Sequence, residues 1–159
     1  MVKLRKIQIS GFRGARYPLS VDFEKSNASV AVFGENAAGK STITDAVEWF
    51  FNDRVDHLWK EDCKEEALRN VHLSDSESAT VSIDFSNDAF SCTKSIDKAL
   101  QVKETNAAVA FKEYKAKSTT ERIVLRTADL SRLADESKGD KRKRIAEIIG
   151  YGAIVEFRD

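Results

Sequence analysis

Nine consecutive residues in the first third of the chain have the types and spacing that hold a nucleotide phosphate. Gly34 to Ser41 fits the pattern G-x-x-x-x-G-K-[ST] at each constrained position. Glycines at both ends let the backbone pass close to phosphate oxygens, and the converging N–H groups form an anion nest. The predicted contact residues are Gly34, Glu35, Asn36, Ala37, Ala38, Gly39, Lys40, Ser41 and Thr42.

Three of these residues have distinct expected roles. Lys40 supplies a mobile positive charge for the terminal phosphates, and the Ser41 hydroxyl is placed to bind Mg²⁺ that bridges the same phosphates. Thr42 is within reach of the phosphate nearest the sugar. The motif therefore predicts a site for a nucleoside triphosphate and Mg²⁺.

The flanking residues have the patterns of the strand and helix that such a loop requires. Ser29 to Phe33 is an almost unbroken apolar run, which predicts a central parallel strand covered on both faces. After the loop, apolar residues recur with helical spacing. The predicted inward stripe comprises Ile43, Ala46, Val47, Phe50 and Phe51, and the predicted outward residues are Thr44, Asp45, Glu48 and Asn52.

Length and composition bound the class of protein. The chain has 159 residues, of which 42% are hydrophobic and 33% charged, as in a globular protein with one domain over residues 1–159. No apolar run approaches the length of a membrane span or a signal segment, which favours a cytoplasmic location, with nucleoid association left open. Cys63 and Cys92 form no Cys-x-x-Cys pair and are expected to be reduced thiols.

The net charge of zero removes any whole-molecule positive field that would attract nucleic acid. Basic residues are nevertheless clustered in residues 3–16 and 138–144, so DNA contact through either run stays open beside a plain solvated face. His57, Cys63 and His72 match no compact zinc pattern, and protein-bound metal is not expected there.

The remaining patterns predict an antiparallel sheet followed by helices. Leu4 to Ile9 and Leu19 to Phe23 read as a hairpin, and alternation from Val81 to Val102 reads as a meander. Residues 107–117 stay open between helix and strand. Other predicted elements are a short helix at 65–69, a strand at 123–125, and helices at 129–133 and 141–149, the last with Ile145, Ile148 and Ile149 inward.

A second acidic motif, an apolar strand ending in Asp that would hold Mg²⁺ and orient water, is not evident. The nearest match is Val81-Ser82-Ile83-Asp84, but its strict alternation indicates a half-exposed strand with Asp84 on the polar side. We therefore assign no catalytic residue in this chain.

With these residues described, the chain resembles the amino-terminal half of an ABC-type ATPase head of the SMC and RecF-type group, particularly the double-strand-break repair ATPases and related bacterial SMC-like proteins. Ile9 to Arg13 is similar to the group's "I-x-x-F-R", and Gly34 to Thr42 to its "G-x-N-G-x-G-K-S-T". Ala37 stands where the group has glycine, and Thr127 where its glutamine loop has glutamine.

The resemblance implies an α/β P-loop NTPase fold, in which an antiparallel β subdomain lies beside the P-loop core and terminal helices lead toward a coiled coil. It implies the N-terminal lobe of a split ATPase head that binds ATP and Mg²⁺, with Arg13 near the nucleotide. Its partners would be its own C-terminal half and a second head in an ATP-sandwich dimer, with DNA and a nuclease or effector subunit beyond them.

Two functions follow from this resemblance. The first is an ATPase of DNA repair or genome maintenance, in which hydrolysis needs the C-terminal half and the lobe alone is inactive. The second is a nucleotide-gated interaction module of a phage-defence or nuclease-associated SMC-like protein without efficient hydrolysis.

Overall fold

The computed structural model describes residues 2–24, 29–36, 38–60, 65–106, 108–118, 124, 126, 131 and 137–148. Contacts divide the chain into two compact units, Met1–Tyr114 and Lys115–Asp159. The phosphate-binding motif and all five strands belong to the first unit.

An antiparallel sheet of five strands frames the first unit, in the spatial order β2-β1-β3-β4-β5. The strands are β1 (Leu4–Ser10), β2 (Leu19–Asp22), β3 (Ala79–Phe85), β4 (Cys92–Ile96) and β5 (Val102–Thr105). Ile7 lies opposite Val21 on one side and Ile83 on the other. Alternate residues of β3 and β4 are buried, as the period of a strand with one covered face requires. The predicted hairpin and meander are confirmed.

Four helices and two short 3₁₀ turns complete the described elements. The helices are α1 (Lys40–Asn52), α2 (Asp56–Lys60), α3 (Val109–Ser118) and α4 (Lys138–Ile148), and the turns are Glu65–Leu68 and Asp88–Phe90. The segment left open at 107–117 is thus largely helical, and the short helix predicted at 65–69 is a 3₁₀ turn. No helix in the described ranges is long and apolar enough to cross a membrane.

The core lies between the covered face of the sheet and α1. Trp49 and Phe50 of α1 are fully buried, and the ring of Phe50 meets that of Phe111 in α3 at a centroid distance of 5.4 Å. Trp49 stacks on Phe12 at 5.2 Å. Because these rings link α1 to the chain before β2 and to α3, the helix that follows the phosphate motif is fixed from several directions.

A buried lysine ties the sheet to the end of α1. The ammonium of Lys94 in β4 donates a hydrogen bond to the carbonyl of Trp49 at 2.7 Å and lies 4.3 Å from the centroid of the Trp49 ring. It also pairs with the carboxylate of Asp53, the C-cap residue of α1. The Trp49 carbonyl also accepts the N–H of Asp53 at 3.0 Å, so Lys94 supplies a second, charged donor and complements the negative end of the helix dipole.

The prediction of a strand at Ser29 to Phe33 is wrong for this structure. Residues 29–33 are described and are not in a strand, and Val30, Val32 and Phe33 are 39%, 46% and 89% exposed. A central parallel strand requires a hydrogen-bonded neighbour on each edge and cover on both faces. In the part of the chain that the structure describes, no strand pairs with this segment.

Two predicted helix faces also need correction. Asp45 and Glu48, expected to face outward from α1, are buried, because residues around Arg13 and His57 cover that side of the helix. Ile145 of α4, expected to face inward, is 49% exposed, and Ala146 is the buried residue of that turn. Simple periodicity finds the apolar stripe, but it does not reveal a polar contact on the opposite face.

Several predictions fall on residues outside the described set. Of the strand at 123–125 only Val124 is described, and of the helix at 129–133 only Ser131. Thr127, Cys63, the side chains of Ile148 and Ile149, and the segment from 150 onward also lie outside it. Cys92 is buried and is not part of a disulfide among the described residues.

Candidate nucleotide site

The motif residues form a turn that leads directly into α1. The backbone N–H of Ala38 donates to the carbonyl of Glu35 at 3.3 Å, and the N–H of Thr42 donates to the carbonyl of Gly39 at 2.9 Å. Gly39 has φ 84° and ψ 10°, in the left-handed region, and is the N-cap residue of α1. A residue with a Cβ is strained in this conformation, so glycine is needed here.

The lysine of the motif lies over the loop. The ammonium of Lys40 donates to the carbonyls of Gly34 at 2.7 Å and of Glu35 at 2.5 Å. The ammonium is therefore fixed against the backbone of the loop, and these two carbonyls balance part of its charge.

The N-terminus of α1 has the electrostatic character of an anion site. Its N-cap makes no side-chain hydrogen bond, and its first turn contains no acidic residue. The positive end of the helix dipole and the N–H groups of Lys40 and Ser41 thus face the turn without a capping side chain. Ser41 is exposed in this first turn.

A second glycine-containing turn packs against the loop. A Cβ built on Gly14 would lie 3.1 Å from the hydroxyl oxygen of Thr42 and 3.8 Å from the Cα of Gly39. The hydroxyl of Thr42 is consequently covered, and Thr42 is buried. The turn of residues 11–14 is therefore the wall of the site next to the start of α1.

Contacts with residues 68–70 fix this turn. The N–H of Arg13 donates to the carbonyl of Leu68 at 2.8 Å, and the N–H of Asn70 donates to the carbonyl of Gly11 at 2.8 Å. The side-chain amide of Asn70 also donates to the carbonyl of Arg13. Arg13 has a φ of 47°, an uncommon value for a residue with a side chain, which these bonds hold in place.

The side chain of Arg13 forms an ion pair with a residue of α1. Its Nε lies 3.0 Å from Oδ2 of Asp45, whose side chain has no exposed surface, whereas 25% of the Arg13 side chain is exposed. Residue patterns gave no indication of this pair, because Asp45 was expected on the outer face. The predicted contact of Arg13 with phosphate stays a prediction.

Two further polar groups surround Asp45. One oxygen each from Asp45 and Glu48 and one ring nitrogen of His57 lie within 4.8 Å of one another. Oε1 of Glu48 accepts from the N–H of Asp56 at 3.0 Å, and Nδ1 of His57 lies 3.9 Å from Oδ1 of Asp45. Arg13 supplies the positive charge beside these carboxylates, so we explain the cluster without a metal ion.

Arg69, directly after the 3₁₀ turn Glu65–Leu68, bonds to the backbone of the residues that follow it. Its Nη2 donates to the carbonyl of Ser74 and, at 3.1 Å, to that of Glu77. The carboxylate of Glu77 accepts from the N–H and the hydroxyl of Ser74, and these hydrogen bonds lower the pKa of Glu77 below its ordinary value. Arg69 thus closes the loop that follows the residues contacting the Arg13 turn.

The structure therefore brings together most of the predicted loop. Gly34, Glu35 and Lys40 are joined by hydrogen bonds, and Gly39 and Thr42 pack against the Gly14 turn. Ala37 lies outside the described residues. Asp84 lies opposite Lys6 of β1 in the register of the sheet.

Replacing each of the two motif glycines by alanine should have a different effect on stability. Gly39→Ala places a Cβ in a left-handed conformation and should lower the free energy of unfolding by about 1 kcal/mol. At Gly34 an added Cβ would meet only ordinary contacts, the nearest being 3.5 Å from the Cβ of Ala38, and Gly34→Ala should change stability by less than about 0.5 kcal/mol. Urea denaturation of both variants measures the difference; equal losses would contradict the assigned role of Gly39.

The glycine turn, the lysine above it and the uncapped helix after it place the chain in the class of P-loop NTPases. The chain belongs to the AAA ATPase domain family, whose model matches residues 2–148. Its sequence is also similar to those of SMC proteins.

Three chromosome partition proteins Smc are similar to this chain. That of Mesomycoplasma hyorhinis is 29% identical over 171 aligned residues, covering 100% of this chain and 16% of the relative. Those of Halothermothrix orenii and Bacillus subtilis are 33% and 39% identical over 51 residues, covering 32% of this chain and 4% of each relative. The chain thus spans less than a fifth of the length of these relatives.

Proposed function

We propose that this chain is the ATP-binding N-terminal lobe of an SMC-like ATPase head. The observation that carries this proposal is the start of α1, where Lys40 lies over the loop and the helix end has neither a capping side chain nor an acidic residue. Such a site attracts a polyphosphate and leaves its charge to be balanced by Lys40 and a divalent cation.

The predicted contact residues have different roles in this proposal. The turn from Gly34 to Gly39 and the N–H groups of Lys40 and Ser41 would surround the phosphates, whereas the N–H groups of Ala38 and Thr42 hold the turn together. The ammonium of Lys40 would neutralise the terminal phosphates. Ser41, exposed in the first turn, would hold Mg²⁺, which supplies further charge neutralisation. Arg13 lies on the neighbouring turn, whose Gly14 abuts Gly39 and Thr42.

The exposed segment 29–33 supports completion of the head by further strands. Its valines and Phe33 form an apolar surface directly before the loop. The C-terminal half of an SMC-like head, which would also bring the signature motif and an acidic strand, is the occupant we propose. Hydrolysis would then require this half and a second head that closes over ATP.

For the wider role we propose genome maintenance, including DNA repair, with DNA as a partner. The relatives carry the name chromosome partition protein. Helix α4 contributes exposed basic side chains, Lys138 and Arg142, of the type that contacts phosphate backbones. A nuclease or effector subunit is a further proposed partner.

The chain of 159 residues should bind ATP with Mg²⁺ but hydrolyse it negligibly. The expected reason is that no residue of this sequence has the pattern of the catalytic acid; the nearest sequence candidate, Asp84, pairs with Lys6 in the sheet register. Isothermal titration calorimetry with ATP and Mg²⁺ measures binding, and a phosphate-release assay measures turnover. Brisk turnover by this chain would contradict the proposed division of labour, and absence of binding would overturn the proposed function.

A further inference from the structure

The guanidinium of Arg13 has one edge engaged and one edge free. Its Nε faces Oδ2 of Asp45 at 3.0 Å. Its Nη1 is buried and has no hydrogen-bond partner among the described residues. A buried charged N–H group without an acceptor is unfavourable, and a phosphate oxygen is the kind of acceptor that would satisfy it.

Contacts with α1 and with the residues beside it fix the position of the Arg13 guanidinium. The Arg13 backbone is held by the Leu68 carbonyl, and the next residue, Gly14, lies against Gly39 and Thr42. Asp45, on the same helix as Lys40, holds the side chain. Backbone and side chain are therefore both fixed relative to the start of α1.

Asp45 is in turn held on its other side. Its Oδ2 faces Arg13 and its Oδ1 faces Nδ1 of His57 at 3.9 Å. The N–H of Asp56 donates to Glu48, and this bond places the first turn of α2, including His57, beside Asp45. The plane of the Asp45 carboxylate is thus set by groups from two elements.

We propose that Asp45 is a positioning residue that orients Arg13 toward the phosphates of the bound nucleotide. This inference rests on the proposed function. Asp45 fixes the guanidinium against α1 before the nucleotide arrives, so that little side-chain freedom is lost on binding. Lys40, which belongs to α1, and Arg13, which is paired with Asp45 of α1, would then contact the phosphates from two different segments.

A double-mutant cycle on the whole chain tests the proposal, with the Kd for ATP and Mg²⁺ measured by calorimetry. Asp45→Asn and Arg13→Gln should each weaken binding about tenfold, and the double variant should be no weaker than Arg13→Gln alone, because Asp45 acts through Arg13. Glu48→Gln removes another buried carboxylate charge from the same helix but keeps a side-chain oxygen that can accept the N–H of Asp56, so it should keep the Kd within about twofold of the unaltered chain.

Several results would overturn the proposal. One is a folded Asp45→Asn variant with unaltered affinity. Another is a double variant whose fold increase in Kd equals the product of the fold increases in the two single variants. An equal loss in Glu48→Gln would show a general charge effect instead of positioning. If the unaltered chain binds no ATP, the proposed function fails and this inference fails with it.

Arg13→Lys keeps the test decisive if removal of either charge prevents folding. A lysine retains a positive charge beside Asp45, so the stability measured by urea denaturation should stay close to that of the unaltered chain. A single ammonium lacks the second edge of a guanidinium, so the affinity for ATP should still fall about tenfold. Unchanged affinity in this folded variant would refute the role of the free edge.

Discussion

Replacing Lys40 by Ala is expected to abolish the stabilisation that ATP and Mg²⁺ give to this chain. A ligand that binds the native state at about 100 times its Kd adds about 2.7 kcal/mol to the free energy of unfolding. For a chain of this size that corresponds to a rise in Tm of about 5–10 °C. Without the ammonium that now lies 2.7 Å from the Gly34 carbonyl, the terminal phosphates lose their main protein charge.

Differential scanning fluorimetry with and without ATP and Mg²⁺ measures this effect. Lys112→Ala is the matched control, since Lys112 is an exposed lysine of α3 and its loss should leave the full shift in Tm. A Lys40→Ala variant with the same shift as the unaltered chain would mean that ATP binds elsewhere or without this lysine.

Replacing Lys94 by Met is expected to cause the largest loss of stability, about 2–4 kcal/mol. Methionine keeps most of the side-chain volume, but it removes the bond to the Trp49 carbonyl and the cation above the Trp49 ring. The Trp49 carbonyl would keep the N–H of Asp53 as a donor but would lose the charged one. Because the end of α1 is tied to the sheet through Lys94, the whole first unit should be affected.

Urea denaturation compares Lys94→Met with Asp53→Asn. Asp53 is the partner whose side chain is 61% exposed, and the loss of an exposed carboxylate from such a pair should cost less than about 1 kcal/mol. Equal losses in the two variants, or a neutral Lys94→Met, would show that the ammonium does not stabilise the helix end.

The antiparallel sheet and α1 could be predicted because each depends on local patterns. Alternation in Val81 to Phe85 has a period of two, and the stripe containing Ala46 and Phe50 has a period near 3.6, so each is visible in a short window. The left-handed N-cap at Gly39 also follows from the motif. These features need no information about distant residues.

The pair between Arg13 and Asp45 could not be predicted in this way. The two residues are brought together by the docking of Phe12 on Trp49 and by the bonds from residues 68–70 to the turn. Buried Lys94 was missed for the same reason, since a lysine in an alternating strand is ordinarily assigned to the exposed face. Tertiary contacts override a one-dimensional pattern at these positions.

The segment at 29–33 shows the opposite kind of error. Its apolar residues match a buried strand, but burial depends on neighbours that the pattern does not contain. A strand of this type is a property of the completed sheet. The apolar pattern therefore indicates that the segment needs neighbouring strands to bury it, which supports the proposal that further strands cover it.

The central claim is that a triphosphate binds at the turn between Gly34 and Thr42. The most direct test is ¹H–¹⁵N NMR of the labelled chain during titration with ATP and Mg²⁺. The largest changes in amide chemical shift are expected at Gly39, Lys40 and Ser41, whose N–H groups lie at the uncapped start of α1. Saturable changes confined to other residues, or no changes at all, would contradict the assignment of this turn as the nucleotide site.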